Sequence, residues 1–252
     1  EPLKPRIPIS TYRLQFNGSF TFTDARGIIP YLNQLGVSDI YTSPYLKAQE
    51  GSSHGYDIVD HNTLNPEVGS GEEHHEMTEE LRKHGMGQIL DVVPNHMCIT
   101  SRHNAWWMDV LESGPGSLYA DYFDIDWEPV KKELKNKILI PVLGAQYGIT
   151  LEKQELQLAF EKGEFFLTYY RHKLPIRPKT YIDVLQYRID ELKNALTSEN
   201  AQLQEFLSII TAINHLPSFM EKNPDMVSER YREKEIIKKR LLTLYNESPG
   251  VR

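Results

Sequence analysis

Cysteine is nearly missing from this chain. Cys98 is the only one in 252 residues, so no internal disulfide can form and nothing asks for an oxidising compartment. Also lacking is any apolar run near the ~18 residues that a membrane helix needs, and EPLKPRIPIS at the start has no apolar signal-peptide core. Clustered positive charge is missing too: 28 Lys and Arg stand against 35 Asp and Glu, a net charge of -7, which disfavours a nucleic-acid partner. The expectation is a cytoplasmic, soluble protein with no membrane or nucleic-acid partner. There is no glycine-rich phosphate loop and no G-x-S-x-G elbow for a nucleophilic serine. His54, His61, His74, His75 and His84 lie close enough in sequence to raise a metal site. In HHEMTEEL, however, Glu79 stands where a His-Glu-x-x-His helix needs its second histidine. Neither a metal nor a cofactor is expected, and Cys98 reads as a packed thiol without a catalytic partner.

Aromatic residues are plentiful, with 14 Tyr and 3 Trp. Several fall in loop-like contexts: Tyr41, Tyr45, Tyr56, Trp106, Trp107, Tyr119 and Tyr122. Packing at the rim of a core explains any single one. A sugar site is the functional alternative, because the apolar face of a sugar ring meets an aromatic plane while its hydroxyls seek polar partners.

Along the chain, strand and helix patterns alternate. ISTYRLQF (9–16) is rich in β-formers. Thr23 and Asp24 open a helix on which Ile28, Tyr31, Leu32 and Leu35 recur at helical spacing, with Gly36 as the stop. VSDIYTSP (37–44) is a second strand, and 45–71 reads as a long polar loop with four glycines. GEEHHEMTEELRKHG is a helix with acids early, bases late and Gly85 after it, as the macrodipole favours. MGQILDVV (86–93) is a third strand, apolar without alternation, which implies that both its faces are covered. This β-α-β-α-β order points to an α/β fold with parallel strands and right-handed crossovers, whose chemistry gathers at the carboxyl ends of the strands. Residues 98–130 then read as an aromatic loop. ILIPVL, ELQLAF and EFFLTYY follow as short strands with EKGE as a hairpin turn. From about 180 the chain is helical, with one stripe of Leu203, Phe206, Leu207 and Ile210 and another of Ile236, Ile237, Leu241 and Leu244.

Two stretches sit at those strand ends. In GSSHGYDIVD (51–60), Gly51 and Gly55 permit close backbone approach, while His54, Tyr56, Asp57 and Asp60 bring polar groups and a ring. In DVVPNH (91–96), an apolar strand breaks at Pro94 into Asn95 and His96. Either alone is compatible with a solvated loop; together they suggest one shared pocket.

With these motifs the chain resembles the α-amylase clan, glycoside hydrolase family 13. STYRLQF, LGVSDIYTSPYLKAQEGSSHGYDIVDHNTLNPEVG and NAWWMDVLESGPGSLYADYFDIDWEP resemble, more narrowly, the amino-terminal part of the maltooligosyltrehalose synthases. The resemblance implies a (β/α)8 barrel whose enzymes turn the reducing-end α-1,4 bond of a maltooligosaccharide into an α,α-1,1 bond. The clan works through two carboxylates in the retaining scheme, and a further aspartate steadies the transition state. Carried onto this chain, Tyr56 would stack on the glucose at the point of cleavage and Asp57 would orient the loop. His96 would bond a glucose hydroxyl, while Asp91 and Asn95 would brace the strand end. Tyr12, Arg13 and Gln15 would line the floor, with His54 beside them, and the loop holding Trp106 and Trp107 would help to wall off the site. Asn95 is a calcium ligand in some relatives.

The resemblance also implies an omission. The G-x-R-x-D nucleophile motif has only a superficial counterpart in YRID (187–190), with Tyr187 in the glycine position and helical flanks, so Asp190 reads as a surface acid. The acid/base and stabiliser motifs are missing as well. The expectation is therefore a partial barrel: strands one to three in 1–97, a loop and small β-rich subdomain in 98–178, and a helical subdomain in 179–252. Such a piece binds maltooligosaccharide, lacks turnover by itself, and exposes sheet edges that its own helices or a second copy must cover, so a homodimer is expected. A non-catalytic carbohydrate-binding fragment, or another glucan hydrolase of the clan, stands as the alternative.

Overall fold

The computed structural model describes residues 6–197 and 199–252. These form two compact units, one up to residue 105 and one from 106 onward. In the first, strand β1 (Thr11–Leu14), helix α1 (Phe22–Gln34), strand β2 (Asp39–Thr42), a hairpin of β3 (Leu46–Ala48) and β4 (Ile58–Leu64), helix α2 (Gly71–Lys83) and strand β5 (Gly87–Leu90) follow one another. β1, β2 and β5 make one parallel sheet in that order, as the alternating pattern predicts. This is the beginning of a (β/α) barrel.

Both helices start on reciprocal caps. Thr21 and Asp24 bond each other's backbone at α1, and Ser70 and Glu73 do so at α2, satisfying donors that a helix start leaves free. Sequence spacing placed the start of α1 near Thr23; the cap moves it to Phe22. The buried stripe also differs from the expected one. Phe22, Ala25, Ile29 and Leu32 face the core, whereas Tyr31 and Leu35 are exposed. The stripe is set by Phe22, which packs edge-on against Tyr45 at 5.3 Å and tilted against Phe16 at 5.4 Å.

The segment read as a polar loop holds the β3–β4 hairpin. Ile58 and Val59 are buried, but the polar run from Asp60 to Thr63 hides the strand from a pattern search. The third barrel strand corrects another expectation. Its two faces are not both covered, since Ile89 is 37% exposed and Val92 46%. β1 and β5 each pair only with β2 among the described residues, so both remain edges.

The second unit contains α3 (Ala105–Ser113), α4 (Tyr147–Glu152), an antiparallel sheet of β6 (Leu156–Glu161), β7 (Glu164–Tyr169) and β8 (His172–Pro175), and helices α5 (Tyr181–Leu185), α6 (Ile189–Ala195), α7 (Ala201–His215) and α8 (Pro224–Glu247). α3 lies within the expected aromatic loop. ILIPVL forms no strand: Pro141 interrupts it and Leu139 is exposed, with no ladder partner among the described residues. ELQLAF and EFFLTYY do pair, across a turn in which Lys162 (φ 54°) and Gly163 (φ 87°) take the left-handed conformation favoured in two-residue hairpins. Tyr181, Ile209, Ile213 and Ile237 centre a core to which Phe160 and Phe165 of the sheet add, so excursion and helices share one interior. On α7 and α8 the buried positions include Ile209 and Ile213 rather than Leu207, and Ile237 rather than Ile236.

Phe22→Ala should cost about 3–5 kcal/mol, because a fully buried ring leaves a cavity that α1 and α2 cannot close. Urea unfolding followed by circular dichroism measures this, and a loss below ~1 kcal/mol would remove Phe22 from the centre of the core.

Candidate functional site

At the carboxyl ends of β1, β2 and β5 one carboxylate collects three donors. Asp91 Oδ2 accepts from the Tyr56 hydroxyl at 2.6 Å, from Arg13 Nη1 at 2.9 Å and from the Tyr41 hydroxyl at 3.2 Å. Arg13 Nη2 also donates to the Tyr56 oxygen at 3.0 Å, and its guanidinium lies 4.4 Å from the centre of the Tyr41 ring. The pleat explains the convergence. Arg13, Tyr41 and Ile89 are in register across the sheet and share a face, and Asp91 follows two residues beyond Ile89.

The loop carrying Tyr56 is held by its own backbone. Gly55 has φ 75°, and a Cβ there would stand 2.3 Å from the carbonyl oxygen of Pro44, so only glycine fits. The Ser52 hydroxyl donates to Asp57 Oδ1 and accepts from the Gly55 amide. The Tyr56 amide donates to His54 Nδ1 at 3.0 Å, and the two rings lie nearly parallel with centres 5.8 Å apart. His96 approaches from the end of β5: its Nε2 donates to the Tyr56 carbonyl at 3.0 Å, which leaves Nδ1 as the ring's acceptor. Gln15 touches the same loop weakly through the carbonyls of Ser53 and His54, at 3.3 and 3.4 Å.

The structure thus brings Tyr56, Asp57, His54, Asp91, His96 and Gln15 together. Asn95 is exposed on the turn that carries His96. Tyr12 is not brought into this group: strand alternation turns it to the face of buried Leu14, opposite Arg13 and Gln15. Trp106 belongs to the second unit, where it stacks on Tyr119 at 5.3 Å and meets Tyr122 at 5.1 Å. Asp190 opens α6 with its side chain 87% exposed. Tyr41 and Ser52 were missed as site residues. In-register pairing of three parallel strands was the available signal for Tyr41, whose ring joins the Arg13 face. Among the described residues no group of three or more metal-ligating side chains forms, and no helix is long and apolar enough to cross a membrane.

Such an arrangement offers a fixed aromatic ring, an imidazole with one nitrogen to spare, and a carboxylate at a strand end, which suits a polyhydroxylated ligand. A parallel sheet with a polar cluster at its carboxyl ends is the arrangement in which (β/α) barrels place their sites. Residues 17–208 match the family described as Alpha amylase, catalytic domain, and the chain belongs to that family. Over 147 residues, 56% of this chain and 19% of the relative, it is 45% identical to a Mycobacterium tuberculosis protein named "Putative maltooligosyl trehalose synthase". Over 110 residues, 42% of the chain and 18% of the relative, it is 36% identical to an intracellular maltogenic amylase of Bacillus subtilis. Among solved structures, maltooligosyltrehalose synthase from Arthrobacter ramosus is 42% identical with a TM-score of 0.60, over 68% of this chain and 21% of that one. A hypothetical maltooligosyl trehalose synthase from Sulfolobus tokodaii is 36% identical with a TM-score of 0.59, over 74% of this chain and 24% of that one. The chain spans about a fifth of the length of these relatives.

The Tyr56 hydroxyl, then Arg13 and Tyr41, hold the Asp91 carboxyl below the usual carboxylate range against the opposing effect of burial. A carboxyl depressed in the folded state stabilises the fold above its ordinary value of about 3.9 and loses that contribution as pH falls through the folded value. In Tyr56→Phe, Asp91 should therefore titrate at higher pH by carbon-13 NMR, and the site should loosen at a less acid pH. An unchanged titration would mean that the phenol does not hold the carboxylate.

Proposed function

We propose that this chain is the substrate-binding portion of a maltooligosyltrehalose synthase, gripping the glucose at the point of cleavage in a maltooligosaccharide. The observation that carries this reading is the joint placement of Tyr56 and His96. Bonds from the Tyr56 hydroxyl to Asp91 and from Arg13 anchor the far end of that side chain, and the imidazole hangs from the carbonyl of the same residue. A glucose ring lies with its apolar face on Tyr56, and a hydroxyl donates to His96 Nδ1. Asp57 holds the loop through Ser52, and Gln15 supports it from β1.

In the reaction of the synthases the cleaved glucose stays bound while it turns over, and its own anomeric hydroxyl takes the place of water. A site that grips one sugar beside the cleaved bond while the freed glucose reorients serves that reaction. The carboxylates of the retaining scheme have no motif in this sequence, so this chain binds without turning over. The likeness to the synthases favours this reading over a glucan hydrolase of the same family. A carbohydrate-binding role without catalysis is the second reading, favoured by the missing carboxylate motifs. The setting we infer is a cytoplasmic enzyme of carbohydrate metabolism without nucleic-acid or membrane partner.

Maltohexaose binding measured by calorimetry should weaken at least tenfold in Tyr56→Ala, about 1.4 kcal/mol or more. Equal affinity for the two proteins would remove the stacking role. Purified chain incubated with maltohexaose should give no non-reducing product; sustained formation of a trehalose-ended glucan would reverse the claim that it lacks turnover. The uncovered edges of β1 and β5, and the exposure of Ile89 on β5, lead us to propose self-association. Sedimentation velocity should show a dimer at micromolar concentration, and a monodisperse monomer would argue against it.

A further inference from the structure

A small cavity in the second unit, about 30 Å³ in volume, has a charged lining made mostly of cations, of which Arg230 is buried, Arg177 half-buried and Lys179 exposed to solvent. Arg177, Lys179, Arg230, Lys234 and Glu112 line it, with Phe219. Glu112 is already shared: one oxygen takes Lys234 Nζ at 2.7 Å and the other takes Lys238 Nζ at 2.7 Å. Lys234 is completed by Asp109 at 3.1 Å, and Lys238 by Glu164 at 2.9 Å and Glu235 at 3.2 Å.

The other three cations meet no carboxylate among the described residues. Arg230, buried to 7% exposure, donates to the carbonyls of Ser218, at 2.7 Å, and Gly116. Lys179 reaches only the Leu216 carbonyl, at 3.4 Å. The Arg177 guanidinium lies 3.8 Å from the centre of the Phe219 ring, and its Nε–H is buried without an acceptor. Burial alone pushes the Arg177 guanidinium down from its usual value, and no acid opposes that effect. Carbonyl dipoles and a ring face solvate a cation but do not cancel its charge, and a buried donor left unpaired is costly.

We propose that this cavity is a halide site, filled by chloride that accepts from Arg177 and offsets the charge of Arg177 and Arg230, which are withdrawn from water without a carboxylate. Size fits the assignment. One water needs about 10–15 Å³ of such space, so the cavity admits a monatomic anion and excludes a sugar or a nucleotide. Arg177 lies just past β8, and Arg230 lies on α8, so the bound anion ties the sheet to the long helix.

Melting temperature should be measured on the full chain at constant ionic strength, with gluconate, too large for the cavity, replaced stepwise by chloride. A saturable rise is expected, about 3–6 °C at a tenfold excess over the dissociation constant, and none in Arg177→Met. Crystals of the unaltered chain grown with bromide give a readout that needs no variant: an anomalous peak in the cavity beside Arg177. A melting temperature that follows ionic strength alone, equally in both proteins, would overturn the proposal. So would a bromide crystal with water density and no anomalous peak there.

Discussion

The hydrogen bonds converging on Asp91 Oδ2 organise the first unit's chemistry. They join the carboxyl ends of three parallel strands to a loop that would otherwise lie free above them. A carboxylate with a guanidinium on one side and two phenols on the others keeps its charge, and charge-assisted hydrogen bonds are shorter and stronger than neutral ones. Tyr56 gains an anchored position from this, and through its carbonyl it holds His96 as well. Placement of the site is therefore a consequence of one ionised group at the end of β5.

A backbone constraint supports that arrangement from below. Gly55 passes so close to the Pro44 carbonyl that no side chain could stand there, which seats the loop directly on the end of β2. Ser52 then bridges the Gly55 amide and the Asp57 carboxylate. The loop is ordered by short-range bonds and only afterwards joined to the sheet by Asp91. Preorganisation of this kind lowers the ordering cost that a sugar ligand would otherwise meet on binding.

The second unit works by different physics. Its apolar core around Tyr181, Ile209 and Ile237 lies beside a buried ion network in which Lys234 and Lys238 of α8 share Glu112 of α3. Such networks carry a large desolvation cost and hold only when every charge finds its partner. α3, β7 and α8 are thereby fixed against one another through Asp109, Glu112 and Glu164. Arg177 and Arg230, withdrawn from water without a carboxylate, are where that balance is incomplete.

Features that a few neighbouring residues decide were legible in the sequence. The helix of 71–83 with its early acids and late bases, the parallel β-α-β-α-β order, the EKGE turn and the two strand-end motifs all depend on side chains within a turn or so of one another, or on simple periodicity. The resemblance to the α-amylase clan rested on the same local stretches. What only the tertiary structure decided depends on distant partners. Nothing local marks Lys234 on α8 as a buried charge; its partner Glu112 stands 122 residues earlier. β4 read as loop until its polar half was seen beside buried Ile58 and Val59. Tyr12 and Arg13 are adjacent in sequence and both belong to the expected floor of the site, yet pleating sends them to opposite faces, and strand register places Arg13 with Tyr41. Local sequence sets backbone geometry and charge; which charges are buried, and against what, is settled by elements far apart in the chain coming together.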